Sequence, residues 1–408
     1  MTGTVQSLTH SSPAMTEWPP LPPRLERIVE AEYPRFSAAE MARRRGAIET
    51  VLAEADCDHL VFYGANRAGS AVQWFTQWPV TTEAIGVFTP GARDALFVQW
   101  INHAPLAKRL ATEADVAWGG ESSIRAAIAV LETRGARENR VGVIGPMGFA
   151  QHAALAARFG KIADLNRAYV RLRRVKSQEE IDWLRIGAWL SDRGMAGLRD
   201  GLAAGVTERA LGDLIERAYT REGGSNVIHF TGATSMRDPQ LPVPAQFPST
   251  RRVANGDIVF AEISAAFWDH SGQVLRSFAV GEEPPPLYRA LHAAADAALD
   301  AVAAVLKHGA TPAQVVEASA VIEDAGFTII DDLLHGYGGG YFPPILGSKS
   351  RPAGPIPAEP FAAGMTVVVQ PNVVTRDGKA GVQTGELLLI TDAGVERLHS
   401  FPRGYARV

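Results

Sequence analysis

Cysteine and long apolar runs are scarce in this sequence of 408 residues. Cys57 is the only cysteine, which excludes an internal disulfide and a thiolate metal cluster and suits a reducing compartment. No 18 uncharged apolar residues run together, so no segment is predicted to span a membrane. The N-terminal stretch has neither the apolar core of a signal peptide nor an arginine-rich amphipathic pattern. We therefore expect a cytoplasmic protein.

The chain also lacks a large excess of positive or of negative charge. The 40 Lys and Arg residues nearly balance the 44 Asp and Glu residues, which leaves a net charge of −4. No long basic run or basic stripe with interleaved aromatics is present, so a nucleic acid is not expected as a partner. Hydrophobic residues make up 46% of the chain, enough for packed cores, and its length suits two domains.

The first part of the chain alternates helical and strand patterns. Residues 1–34 are predicted to form an N-terminal arm, because Ser, Thr and Pro are frequent near its start. Residues 35–168 are predicted to form an α/β domain, whose helix beginning with the capping box of Ser37 and Glu40 precedes several short apolar strands. Its predicted strands are "HLVFYG", "AIGVFTP", "DALFVQW" and "RVGVIG".

A second pattern begins after the basic stretch "RLRRVK", which marks the seam between two domains. Ser177 and Glu180 form another capping box before a long helix. Beyond it, helices with apolar stripes alternate with strands of period two, such as "GDIVFAEISAAFWDHSGQVLRSFAVG" and "MTVVVQPNVV". Residues 169–408 are therefore predicted to form an α+β domain with a mainly antiparallel sheet.

Four stretches of this second domain resemble a known family. "NGDIVFAEISAAFWDHSGQVLRSFAVG", "LLHGYGGGYFPP", "AGMTVVVQPNVV" and "GVQTGELLLITDAGVERL" stand in the order of the motifs of the creatinase, prolidase and aminopeptidase P superfamily, peptidase family M24. The seam "RLRRVKSQEEIDWLR" is similar to that family's linker. The resemblance implies a pita-bread catalytic domain preceded by a smaller creatinase-type α/β domain. It also implies a homodimer in which the N-terminal domain completes the partner's site.

The resemblance also implies where metal ligands would lie. Peptidases of this superfamily hold two metal ions with two aspartates, one histidine and two glutamates, since two neighbouring divalent cations need several anionic oxygens. Carried over one at a time, these positions fall on Glu262, Gln273, His335, Gln370 and Gly385, with Glu386 directly after the last. Only two of the five keep a competent side chain.

The charge balance at these five positions decides whether a metal site is predicted. A di-metal site brings about four positive charges, which neutral glutamine amides do not balance. We therefore predict no metal cofactor, with a single divalent ion on Glu262, His335 and Glu386 as a less favoured alternative. Creatinase is a metal-free precedent for the fold, but its catalytic histidine position falls on Gln246. Creatine is therefore not predicted as the substrate.

The remaining polar groups predict a pocket for a small-molecule substrate. His335 is the predicted proton carrier, because imidazole titrates near neutrality. Glu262 would assist it, and the alternative for Glu262 is a buried acid paired to Arg276. The alternative for His335 is a core histidine bonded to backbone. The predicted substrate-binding residues are Gln273, Gln370, His229, Tyr337, Tyr341, Arg276 and Glu386.

Four functions stay open at this point. The favoured one is a metal-independent hydrolase that cleaves a C–N or related bond of a small polar molecule by acid/base catalysis. A metal-dependent Xaa-Pro aminopeptidase or prolidase is the alternative that the resemblance offers. A metal-free lyase would use the same groups. A non-catalytic binding protein would be marked by an occluded or apolar cavity.

Overall fold

The computed structural model describes residues 18–408, and its first helix lies where the sequence predicted an arm. Helix α1 (Pro23–Val29) buries Leu25. Arg24 forms an ion pair with Asp182 of the second domain, with 2.7 Å between Nη1 and Oδ2. Residues 18–34 are thus packed onto the body of the protein, while residues 1–17 of the predicted arm lie outside the described residues.

The N-terminal domain is built on a mixed sheet of six strands in the order β4-β3-β2-β1-β5-β6. The four predicted strands are confirmed as β1, β2, β3 and β5, and the sequence pattern missed β4 and the two-residue β6. A 3₁₀ turn at Ile101–His103 precedes α4. The other elements are α2 (Ala38–Glu54), β1 (His59–Ala65), α3 (Ala71–Thr76), β2 (Glu83–Phe88), β3 (Asp94–Val98), α4 (Ala104–Leu110), β4 (Ala114–Trp118), α5 (Ser123–Thr133), β5 (Val141–Ile144), α6 (Phe149–Phe159), β6 (Ala163–Asp164) and α7 (Asn166–Arg174).

Helix α7 crosses the domain boundary predicted at residue 168. Its Tyr169 packs into the apolar core of the N-terminal domain, whereas Arg174 at its end bonds to Glu359 of the second domain with 2.6 Å between Nη1 and Oε2. The structure therefore joins the two domains through a helix, and the boundary itself stays a prediction.

The second domain carries a sheet of seven strands in the order β12-β11-β13-β15-β9-β8-β7, all paired antiparallel, as predicted. Two short strands, β16 and β17, add to β15 and β9, and a 3₁₀ turn spans Thr220–Glu222. The elements are α8 (Gln178–Gly201), α9 (Glu208–Glu216), β7 (Gly224–Ser235), β8 (Asp257–Phe267), β9 (His270–Ala279), α10 (Pro286–Val305), α11 (Pro312–Ala318), α12 (Val321–Asp324), β10 (Thr328–Ile329), β11 (Leu334–Tyr337), β12 (Tyr341–Leu346), β13 (Thr366–Val369), β14 (Val373–Val374), β15 (Gly385–Ile390), β16 (Val395–Arg397) and β17 (Ala406–Arg407).

Both predicted capping positions hold, in different ways. At the start of α8, the Ser177 hydroxyl accepts from the Glu180 N–H and the Glu180 carboxylate accepts from the Ser177 N–H, a complete capping box. At the start of α2, Ser37 also caps its helix, but the Glu40 carboxylate instead accepts from Arg43 and Arg44. The second box is therefore half formed.

Strand alternation divides the second domain's side chains between two faces. On β8, Ala261, Ile263 and Ala265 pack into the core that α8 and α9 cover. Glu262 and Ser264 between them point the other way. On the residues 18–408 that the structure describes, no helix is both long enough and apolar enough to cross a membrane.

Candidate active site

Polar side chains from neighbouring strands converge on the sheet face opposite α8 and α9. Glu262 lies on β8 and Gln273 faces it from β9, because Ser264 pairs with Gln273 in the β8–β9 ladder. His335 comes from β11, and the remaining members follow or precede strands. We call this set the amide cluster: Glu262, Gln273, Asp332, His335, Gln370 and Gln383.

Hydrogen bonds from amide groups connect the carboxylates of the amide cluster. Gln273 Nε2 donates to Glu262 Oε1 at 2.7 Å and to Gln370 Oε1 at 3.4 Å. Gln370 Nε2 in turn donates to Asp332 Oδ1 at 3.1 Å. Gln383 Nε2 reaches the other oxygen of Glu262 at 3.5 Å. Neutral amide donors thus link the two carboxylates.

Several atoms in the same place have no hydrogen-bond partner within residues 18–408. They are buried, and an unpaired buried polar atom is costly in free energy. Such a concentration is expected where bound water or a ligand supplies the missing partners. The unpaired atoms are Ser264 Oγ, Gln273 Oε1, Asp332 Oδ2, His335 Nε2 and Gln383 Oε1.

His335 is fully buried, and the hydrogen bond of its Nδ1 atom assigns the tautomer. Nδ1 lies 3.2 Å from the Gly336 carbonyl, which only accepts, so Nδ1 carries the proton. Nε2 then keeps its lone pair. Burial lowers the pKa of His335 to about 4, so the ring is neutral at physiological pH.

Two tyrosines cover the His335 ring. Tyr341 stacks on it with 4.0 Å between ring centroids, and Tyr337 meets it edge to face at 5.5 Å. The Tyr337 hydroxyl accepts from Ser271 at 3.0 Å. Tyr341 is 51% exposed and therefore lies between the imidazole and solvent.

Glu262 is a buried acid that has no cationic partner among residues 18–408. Burial raises its pKa to about 7, with the negative charge of Asp331 acting in the same direction, and the bonds from Gln383 and Gln273 do not offset this rise. Asp332 also has its pKa raised, first by burial and then by Asp331. The alternative of an ion pair between Glu262 and Arg276 is wrong, since Arg276 lies on the other face of β9.

The predicted pocket positions of Glu386 and Arg276 need correction. Glu386 is fully buried but bonds to Arg276, Arg397 and Arg403, a group we call the arginine cluster. Gly385 faces the amide cluster and Glu386 faces away, because successive side chains of a strand point to opposite faces. The alternative of a single ion on Glu262, His335 and Glu386 therefore lacks one of its ligands.

Arg276 has no free donor direction towards a substrate. Its guanidinium donates to Glu386 at 3.1 Å and to backbone carbonyls, including that of Gly385 at 2.8 Å. Burial alone would raise the pKa of Glu386, but the hydrogen bond from Arg397 and the charge of Arg276 outweigh it and lower the pKa to about 2. The arginine cluster is a closed structural unit.

His229 also lies outside the amide cluster. It pairs with Ile263 across the β7–β8 ladder, so its side chain shares the face that α9 covers. Its Nε2 lies 2.6 Å from the Tyr219 hydroxyl. The prediction that His229 binds substrate together with the amide cluster is therefore corrected, since its half-buried ring is bonded to Tyr219 on the other face.

A cleft of about 740 Å³ opens between the two domains next to the amide cluster. Tyr337 and Tyr341 form part of its wall, as does the loop after β1. In this loop, the exposed Arg67 guanidinium has no hydrogen bond or ion pair with any residue from 18 to 408. The cleft therefore reaches the tyrosines that cover His335.

Comparison with known proteins identifies the family. The sequence pattern of metallopeptidase family M24 matches residues 182–392, more than half of the chain. The chain belongs to metallopeptidase family M24. This membership confirms the predicted pita-bread fold and places the protein in a class of hydrolases.

Relatives in the family are distant. An uncharacterized peptidase of Staphylococcus haemolyticus is 23% identical over 252 residues, which cover 59% of this chain and 66% of that relative. One of Staphylococcus saprophyticus is 25% identical over 251 residues, covering 59% and 67%. Both matches thus span about two thirds of the relatives' length.

Solved structures share the architecture of nearly the whole chain. The Xaa-Pro dipeptidase from Bacillus anthracis superposes with a TM-score of 0.77 at 16% identity, covering 90% of this chain and 100% of that one. The X-Pro aminopeptidase from Thermotoga maritima gives 0.76 at 18%, covering 90% and 99%. The dipeptidase PepE from Mycobacterium ulcerans gives 0.75 at 21%, covering 92% and 99%. These similarities establish the fold.

The amide cluster does not fit the di-metal centre that the family resemblance implies. The Gln273 amide points an N–H donor at Glu262, and an N–H group has no lone pair for a cation. A Cβ at Gly385 would lie 2.7 Å from the Val369 carbonyl oxygen, so the backbone leaves no room for a ligand side chain there. Within residues 18–408, no three His, Cys, Asp or Glu side chains converge to hold an ion.

Sequence reasoning missed three polar residues at this site. Asp332 stands in "DDLLHG", three positions before His335, and Gln383 stands in "GVQTGE", two positions before Gly385. The short spacing to a predicted site residue was a signal for both. For Arg67, the sequence offered none, because only the approach of the domains brings its loop to the cleft.

Proposed function

We propose that the protein hydrolyses a C–N bond of a small polar molecule by acid/base catalysis, without a di-metal centre. The observation that carries this proposal is the 2.7 Å hydrogen bond from Gln273 Nε2 to Glu262 Oε1. A peptidase of the superfamily would hold cations between these two positions. Here a neutral donor stabilises the carboxylate, so the pocket suits a polar substrate instead.

His335 is the general base in this proposal. Its Nε2 lone pair takes a proton from a water molecule, whose oxygen then attacks the carbon of the scissile bond. Protonated Glu262 gives its proton to the leaving nitrogen as the C–N bond breaks. Return of the proton from the imidazolium to Glu262 restores the starting state.

The glutamines position the substrate. Gln273 and Gln383 each keep an unpaired amide oxygen, which accepts from N–H or O–H groups of a small molecule. Access to Nε2 requires displacement of Tyr341, whose ring covers the imidazole on the side of the cleft. A substrate group that replaces this stacking contact would expose the base.

The competing functions differ in what they need. A metal-dependent Xaa-Pro dipeptidase or aminopeptidase, the activity named for the solved relatives, needs carboxylates where Gln273 and Gln370 stand. An occluded cavity would mark a non-catalytic binding protein, and the amide cluster is closed by the tyrosines. Its unpaired buried atoms, however, favour a pocket that a ligand enters. A lyase would use the same base and acid without water.

The first experiment is a hydrolysis screen in the presence of a chelator. Dipeptides, N-acyl amino acids and guanidino compounds are offered to the wild-type protein and to His335→Ala. We expect turnover that this variant loses by about 10²–10⁴-fold. The exposed His152→Ala is the matched control and should keep wild-type activity. Equal activity of both variants would reject His335 as the base.

The second experiment counts bound metal. Protein purified without chelator is analysed by mass spectrometry for divalent metals and assayed before and after dialysis against chelator. We expect far less than one equivalent and unchanged activity. Two equivalents, with activity lost on dialysis and restored by metal, would establish the metallopeptidase alternative.

A further inference from the structure

A second cavity, of about 340 Å³, lies at the domain seam. It differs from the cleft beside His335 and lies between α7 and the start of β12. We call it the α7 cleft, and it falls within the size range of small-molecule sites. Its lining residues are Asn166, Arg167, Val170, Arg171, Arg174, Pro343, Pro344, Pro357 and Glu359.

Three arginines present their side chains to the α7 cleft from one helix. Arg167, Arg171 and Arg174 are spaced by four and three residues, which places them on one face of α7. Arg167 and Arg171 are exposed, and neither has a hydrogen bond or ion pair with any residue of 18–408. Their like charges repel each other at this spacing, which a bound anion would relieve.

Arg174 adds a buried donor. It is 7% exposed and bonds to Glu359 through Nη1 at 2.6 Å, but its Nε has no partner within the described chain. Glu359 therefore neutralises one of the three arginines. Two positive charges remain uncompensated around the cavity.

The opposite wall is apolar and rigid. It consists of the prolines Pro343, Pro344 and Pro357, and Val170 adds an apolar side chain from α7 itself. Proline rings lose little conformational entropy on contact with a ligand. A cavity with a guanidinium face and a proline face suits a molecule with a charged head and an apolar body.

We propose that the α7 cleft binds a small molecule that carries two negative charges on phosphate or carboxylate oxygens and an apolar group beside them. Guanidinium groups bind both kinds of oxygen in bidentate geometry. Arg167 and Arg171 hold the charged head, and the prolines contact the apolar part. This site is independent of the proposed hydrolysis.

Calorimetric titration of the full chain tests this proposal with three probes. Phenyl phosphate and phthalate each combine two negative charges with a ring, and phenol keeps the ring without the charges. We expect binding of at least one dianion with a dissociation constant of about 1 mM or below, and no binding of phenol. The dianion that binds more tightly identifies the preferred oxygen chemistry.

A pair of double variants localises the binding. Arg167→Ala with Arg171→Ala should weaken the dianion at least tenfold. Arg125→Ala with Arg221→Ala removes two exposed, unpaired arginines elsewhere and should leave the affinity unchanged. All four residues are exposed, so we expect both variants to fold, which thermal unfolding checks.

Three results would overturn the proposal. Failure of both dianions to bind, or equal weakening in both double variants, would show that the cleft does not select an anion. The third result is measured by sedimentation of the variant that lacks Arg167 and Arg171. If its oligomeric state changes while its dianion affinity stays that of the wild type, this face contacts a second subunit instead of an anion.

Discussion

The amide cluster and the arginine cluster each contain a buried carboxylate, and they meet at adjacent residues of β15. Gly385 faces the first and Glu386 is the centre of the second. In the arginine cluster, three guanidinium groups surround one carboxylate, which they keep ionised. In the amide cluster, Glu262 accepts from amide donors, and several buried atoms lack partners within the described part of the chain.

This difference separates stability from function within one sheet. A carboxylate that cations surround keeps its charge and does not exchange protons near neutrality. A carboxylate that is buried among neutral donors titrates near pH 7 and can give or take a proton. Unpaired polar atoms cost stability, and proteins retain them where a ligand pairs them.

The largest expected effect is on the arginine cluster. Glu386→Ala leaves Arg276 buried without its carboxylate, so we expect a loss of about 3–5 kcal/mol in the free energy of unfolding. Urea denaturation measures it. Glu396→Ala, which removes an acid that is 46% exposed and paired with Arg185, should cost about 1 kcal/mol or less. Similar losses of unfolding free energy in both variants would contradict the view that the buried carboxylate of Glu386 stabilises the fold far more than an exposed ion pair does.

Glu262→Gln should raise the free energy of unfolding, whereas Glu386→Ala lowers it. The pKa of Glu262 is about 7 in the folded protein against an ordinary value of 4.5. The folded state therefore binds more protons between these values, and stability falls as pH rises through them. Because glutamine does not titrate, the variant avoids this loss of stability. We expect its free energy of unfolding at pH 8 to exceed that of the wild type by on the order of 1–3 kcal/mol. Its activity should be lost.

Urea denaturation at pH 5 and pH 8 checks the prediction for Glu262. The difference between variant and wild type should be larger at pH 8, and His152→Ala should show no such dependence. A variant that is less stable than wild type at pH 8 would mean that Glu262 is compensated in the folded state.

The smallest expected effect is that of pH on the rate of the wild-type reaction. The proposal needs neutral His335, which is present above about pH 4, and protonated Glu262, which is present below about pH 7. We expect kcat/KM to rise through the first value and to fall about tenfold per unit above the second. A rate that keeps rising to pH 9 would assign Glu262 a role other than the acid.

Much of the architecture could be predicted from the sequence. The period-two strands and the order of four motifs predicted the antiparallel sheet of the second domain, and the capping residues Ser37 and Ser177 marked two helix starts. The packed segment at 18–34 was missed, since its contacts to Asp182 are far away in sequence.

The candidate site was predicted in part. The family resemblance placed Glu262, Gln273, His335 and Gln370 together, and the structure joins three of them, Glu262, Gln273 and Gln370, by hydrogen bonds. Glu386 was assigned to the site on the assumption of a one-residue shift. Such a shift reverses the face of every side chain in a strand, and the register of β15 decided against it.

The sequence by itself determined the family motifs, the loss of carboxylates at three ligand positions and the presence of an imidazole among them, because these are matters of residue type and order. The tertiary structure alone decided which groups compensate each other. Arg276 follows Gln273 by three residues but faces Glu386, so pairing depends on strand faces and on burial. Through these, the Glu386 carboxylate became a fixed charge, whereas burial raises the pKa of Glu262, the proton donor of the proposed reaction.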